Sequence, residues 1–80
     1  MSEHRISVTP VDGGWSLACE GETQPQLFLS GRCAEAQARA LALALSRAGD
    51  EAFVYIHDRT DALIGATRYS AADARKLASA

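Results

Sequence analysis

The sequence has no apolar run approaching the roughly 20 residues that span a bilayer, which excludes a membrane-crossing helix. Met1 to Arg5 lacks the charged, then apolar, then small order of a signal peptide, so the cytoplasm is the expected compartment. Cysteine is scarce. Cys19 and Cys33 are the only two in eighty residues, and their spacing fits neither a CxxC redox pair nor half of a zinc ribbon. Two small, buried thiols are the expectation. Only His4 and His57 could join them as ligands, and His4 falls in a terminus expected to fray, so neither a metal nor any other cofactor is expected. An excess of one charge is also missing: ten carboxylates against eight cations leave a formal charge of -2. The cations, seven arginines and Lys76, are scattered rather than clustered. That is a poor footprint for a phosphate backbone. With no Walker sequence, dinucleotide fingerprint or glycine-flanked serine, nothing argues for an enzyme.

A chain this short forms one domain over residues 1–80, with 1–4 and 79–80 expected to fray. Its core contributes roughly 3–5 kcal/mol net unless a disulfide, a metal or a partner chain adds to it.

What is present is alternation and alanine. Arg5 to Val11 places Ile6 and Val8 on one face and Ser7 and Thr9 on the other, which predicts a first strand with Pro10 at its end or unpaired side. Asp12-Gly13-Gly14 supplies a tight hairpin. Trp15, Leu17 and Cys19 then alternate with Ser16, Ala18 and Glu20 in a second strand. After a turn at Gly21-Glu22-Thr23, Leu27 to Leu29 form a third strand ended by Ser30-Gly31-Arg32-Cys33. Glu51 to His57 predicts a fourth strand, apolar on both faces. The polar stretch Asp58 to Asp61 leads into a weaker fifth strand, Leu63 to Tyr69, interrupted by Gly65. Ser70 and Asp73 have the spacing of a capping box, and Ala74, Leu77 and Ala78 follow as a stripe, so a short C-terminal helix is expected.

Between the third and fourth strands, Ala34 to Ala48 contains no Gly, Pro or β-branched residue, which predicts the main helix, with Gly49 at its C′ position. On a helical wheel Arg32, Glu35, Arg39 and Ser46 share one narrow polar sector, and Glu35 and Arg39 are spaced as an i, i+4 pair. The rest is apolar: Leu43, Ala36 and Ala40 lie toward one edge, and Leu41, Leu45 and Ala38 toward the other. One sheet covers a stripe of roughly 100° or a little more, so a second cover is expected over Leu41, Leu45 and Ala38, either the C-terminal segment or another subunit. The order β-β-β-α-β-β points to an α+β fold: a right-handed crossover can set the fourth strand parallel beside the first, giving one helix on a mostly antiparallel sheet of order 3-2-1-4-5, and the alternative leaves the fourth and fifth strands as a separate hairpin.

These features resemble a small bacterial family known as domain of unknown function 2188. The residues that carry the likeness are Arg5 to Val11 followed by Asp12-Gly13-Gly14-Trp15, the helix opening Ala34-Glu35-Ala36, the strand ending at His57, and Arg68-Tyr69. The resemblance spans roughly residues 5 to 70 and implies a strand-rich domain with one helix and no established activity. Asp58 to Asp61 replaces a shorter glycine-containing turn, and Gln37 occupies a usually apolar position. A weaker likeness to HicB-type antitoxins implies a partner-binding module, and one to integrase arm-binding domains implies DNA contact by the sheet.

The leading expectation is a non-enzymatic module that self-associates or binds a protein partner, with Leu41, Leu45 and Ala38 as the interface. The alternative is a nucleic-acid-associated regulator that uses Arg5 and Arg68. Trp15 offers a weak ligand platform but more simply closes one end of the core. His57 and Asp58 invite an acid/base reading, yet neighbours in a strand point to opposite faces, so a strand-end histidine beside a turn is the plainer one. Cys33, at the start of the main helix, suits a small buried residue better than a nucleophile.

Overall fold

The computed structural model describes residues 3–22 and 24–70. Its elements are β1 (Glu3–Val11), β2 (Gly14–Cys19), β3 (Gln26–Phe28), α1 (Gly31–Arg47), β4 (Glu51–His57) and β5 (Leu63–Tyr69). The strands form one mixed sheet in the order β3-β2-β1-β4-β5, and α1 packs on it chiefly over β1 and β4. This is the expected α+β topology. β1 pairs antiparallel with β2, and β4 with β5, whereas β1 and β4 are parallel. A parallel pair needs a long crossover, which α1 provides. The expected C-terminal helix falls on residues 71–80, outside the described residues.

β1 starts two residues before the alternation begins. Glu3 pairs with Glu51 and His4 with Ala52, and His4 Nε2 lies 3.0 Å from Asp50 Oδ2. The parallel partner extends that far, so residues 3 and 4 belong to the ladder and not to a frayed end. The helix also starts early, at Gly31 rather than Ala34. Ser30 is its N-cap: the backbone is extended, and the hydroxyl accepts from the Cys33 N–H at 3.1 Å. That bond satisfies one of the first-turn amides that have no partner within the helix. At the other end Ala48 caps α1, and Gly49 follows with φ 99°, the left-handed conformation expected there.

The helix meets the sheet through alanine. Ala34, Ala38 and Ala42 are fully buried, four residues apart, and pack with Ile6, Val8, Leu17, Ala52 and Val54. Side chains that end at Cβ let the helix axis approach the sheet closely. Leu41 and Leu45 flank this ridge, half-buried and packed on the same core. The ridge continues at Ser46, which corrects its placement in the solvent-facing polar sector, since it is fully buried. Its Oγ donates to the Leu43 carbonyl at 2.8 Å, and a hydroxyl satisfied within its own helix can be buried at little cost. The cysteines also depart from expectation. Both are free, but Cys19 is only half-buried and Cys33 is exposed, because Cys33 lies on the side of α1 away from the alanine ridge.

Candidate interaction surfaces

Strand alternation gives the sheet two unequal faces. Ile6, Val8, Ala52 and Val54 point to α1, so Arg5, Ser7, Phe53 and Tyr55, which alternate with them, lie on the other face. No helix covers that face among the described residues. The register sets Arg5 beside Phe53, and Phe53 beside Arg68, in one row across β1, β4 and β5. The two arginines named from sequence are therefore brought together around an aromatic ring. Each, however, is already paired: Arg5 Nη1 lies 3.3 Å from Glu20 Oε2, and Arg68 Nη2 lies 2.8 Å from Glu51 Oε1. The row holds two cations and two anions, which gives no net attraction for phosphates.

The two sheet edges also differ. β3 is three residues long and is preceded by Pro25, two devices that blunt an edge. β5 is seven residues long, and no charged residue lies between Asp61 and Arg68. At its start Leu63 and Ile64 are 56% and 65% exposed. The register passes from Ile56 opposite Gly65 to His57 opposite Leu63, so Ile64 is the extra residue of a bulge in β5 itself, and such a bulge re-aims side chains at the strand end.

A crevice of about 320 Å³ opens at the carboxyl ends of β1 and β4, where Trp15, Ile56, His57, Arg59 and Ile64 meet Gly31 and Glu35 of α1. There the chain turns one way into β2 and the other way into β5. Arg59, from the β4–β5 turn, bridges the two turns: its Nη1 donates to the carbonyls of Gly14 at 3.2 Å and Val11 at 3.4 Å. Its guanidinium carbon sits 4.9 Å from the centre of the Trp15 ring, a stack worth about 0.5–1 kcal/mol at an exposed site. Gly31 allows the indole to lie against the helix start, because a Cβ there would fall 3.0 Å from Trp15 Cε2. Trp15 thus closes one end of the core, as expected, and also forms a wall of the crevice.

Hydrogen bonds assign the polar groups of this crevice. His57 Nδ1 lies 3.1 Å from the Val8 carbonyl. A carbonyl only accepts, so Nδ1 carries the proton and the neutral ring has its lone pair on Nε2. Asp58 does not act with His57 as an acid/base pair. Its Oδ1 accepts from the Thr60 N–H at 2.8 Å, the Thr60 hydroxyl at 2.6 Å and the Ala62 N–H at 3.1 Å, an arrangement that shapes a turn. These donors hold the Asp58 carboxyl below the usual range, the Thr60 hydroxyl contributing most and the Ala62 amide next. Glu35 is paired with Arg39. Burial pushes the Cys19 thiol up, and Glu22 and Glu20 push it further, away from the thiolate that reactive chemistry needs.

A pH dependence follows from Asp58. A carboxylate whose folded pKa is depressed stabilises the fold above its unfolded pKa, about 3.9, and that stabilisation is lost as the pH falls through the folded value. Asp58→Ala is therefore expected to melt below the parent at pH 7, with the gap closing as the pH drops below about 4. Paired thermal melts measure it, and a gap that stays constant down to pH 2 contradicts the charge-based account.

Among the interface residues expected from sequence, Ala38 is fully buried against the sheet, so in this fold it cannot face a second chain. Leu41 and Leu45 pack on the sheet core but are only half-buried, and the C-terminal segment expected as one second cover lies outside the described residues. Arg59 received no role from the sequence, because a lone arginine in a polar turn carries no local mark of a contact with Trp15. Among the described residues, no group of three or more His, Cys, Asp or Glu is placed to hold a metal ion, and no helix is long and apolar enough to cross a membrane. Comparison with protein-family models, with curated proteins and with solved structures found no match.

Proposed function

We propose that the chain is a non-enzymatic protein-binding module whose partner is a second copy of itself, joined through β5. The observation that carries this is the contrast between the edges: one short and preceded by proline, the other seven residues long and without charge until Arg68. An edge strand offers unpaired backbone groups, which a monomer normally blunts with charge, proline or a bulge; beyond its bulge at Ile64, β5 has no charge or proline until Arg68 and pairs with no further strand among the described residues. Antiparallel self-pairing centred on Ala66 sets Ile64 opposite Arg68 of the second copy and brings no like charges together. It also extends five strands to ten, which adds buried surface to a core of four aliphatic side chains and four alanines. The nucleic-acid reading would use the row Arg5, Phe53 and Arg68, whose cations are already neutralised, and is the weaker of the two.

Analytical ultracentrifugation at high micromolar concentration tests the proposal. A dimer is expected for the native sequence. Ala66→Lys, which sets two ammonium groups facing each other across the two-fold axis, should raise its Kd about tenfold or more. Ala40→Lys, on the exposed side of α1, should leave it unchanged. A native monomer, or a dimer indifferent to Ala66→Lys, overturns the proposal.

A further inference from the structure

The crevice at the carboxyl ends of β1 and β4 has a chemistry that self-association through β5 does not use. Its two acids are committed: Glu35 is paired with Arg39, and Asp58 Oδ1 accepts from three donors. Its arginine is committed only in part. Arg59 has no carboxylate within ion-pair distance among the described residues, and only its Nη1 is engaged there, by two carbonyls. Nη2 and Nε are left as donors, whereas His57, held through Nδ1, offers Nε2 as an acceptor. The surplus is therefore one of donors, carried by the free edge of the Arg59 guanidinium, whose charge is balanced within the lining by the Asp58 carboxylate and its neutral partners. Trp15, Ile56 and Ile64 give the same crevice apolar walls.

From these groups we infer that the crevice is a binding site for a small organic anion, a carboxylate or phosphate monoester carrying an apolar ring. The acid group meets the free edge of the Arg59 guanidinium, and the ring lies against Ile56, Ile64 and the edge of Trp15. Guanidinium presents parallel donors to a carboxylate or phosphate, which suits the planar fork of arginine. A volume of about 320 Å³ is at the small end for ligand sites, and apolar walls with a few convergent polar groups are their usual make-up. The location agrees with the place where open α/β sheets take ligands, outside the carboxyl ends of parallel strands whose connections diverge.

The probes are phenyl phosphate and benzoate, with benzyl alcohol as the uncharged analogue and inorganic phosphate as the ring-free one. Trp15 is the only tryptophan, so its emission reports directly, and the amide NMR shifts of His57 and Arg59 give a second readout. Saturable binding is expected for at least one ring-bearing anion, about tenfold weaker or more for both analogues and for Arg59→Gln, and unchanged for Arg47→Gln at the far end of α1. Circular dichroism establishes that Arg59→Gln is folded, and Arg59→Lys, which keeps the charge, should bind more tightly than Arg59→Gln. Non-saturable responses from both ring-bearing anions, equal binding of inorganic phosphate, or full affinity in Arg59→Gln overturns the inference. Ile64 serves both surfaces, but Ala66 does not line the crevice and Arg59 is not in β5, so Ala66→Lys and Arg59→Gln distinguish failure of the dimer from failure of this reading.

Discussion

Ala38→Leu is expected to destabilise the fold by about 3 kcal/mol, whereas Ala40→Leu changes it by less than about 0.5 kcal/mol. The two substitutions add the same atoms two residues apart on one helix. Ala38 is fully buried at the centre of the ridge that α1 presents to Ile6, Val8 and Val54, whereas Ala40 is exposed. Three extra carbons at Ala38 have no void to enter, so the helix must lift off β1 and β4 or the branched side chains must leave their rotamers. An 80-residue domain has roughly 4–12 kcal/mol of stability in all. A loss of about 3 kcal/mol should lower Tm by on the order of 10–20 °C. Urea unfolding of the two variants beside the parent measures it. A cost at Ala38 within about 1 kcal/mol of that at Ala40 would mean that the alanine ridge is not the seat of the helix.

That ridge also marks where the sequence stops being informative. The strand order was legible, because neighbouring strands joined by short turns pair with each other and a helical crossover leaves few places for β4. The ends of β4 and β5 were legible as well, since alternation stops at polar or glycine-rich segments. The buried side of α1 was not. Alanine occupies both its buried positions, Ala34, Ala38 and Ala42, and its exposed ones, Ala36 and Ala40, so residue type alone cannot tell which row faces the sheet. The leucines suggest a seam, and the sheet packs against Leu41 and Leu45 while leaving both only half-buried. Ser46 reads as surface because its satisfied hydroxyl is invisible in the sequence. Arg59 was missed for a related reason: its partners, the Trp15 ring and the Gly14 carbonyl, become neighbours only once β1 and β4 lie side by side.

Gly14→Ala should cost about 3 kcal/mol, several times the cost of Gly13→Ala, although Gly13 is the residue with the unusual backbone. Gly13 has φ 80°, and a Cβ built there meets nothing within 4 Å. Its substitution incurs only left-handed strain, on the order of 1 kcal/mol. Gly14 has no positive φ, but a Cβ there would overlap the Phe28 carbonyl oxygen, with Leu29 Cα in ordinary contact at 3.7 Å. The Phe28 carbonyl is backbone and cannot rotate aside, so β3 has to shift and carries the chain entering α1 with it. Ser30, the cap of α1, and Gly31, against which Trp15 packs, follow directly on Leu29, and the Gly14 carbonyl itself holds Arg59. The disturbance should therefore reach the indole: Gly14→Ala is expected to shift Trp15 emission to the red and weaken anion binding in the crevice, while Gly13→Ala leaves both near the parent values. Urea unfolding followed by that emission gives stability and environment together. If Gly13→Ala proves equally costly, backbone strain rather than the close approach of β2 and β3 limits this end of the sheet.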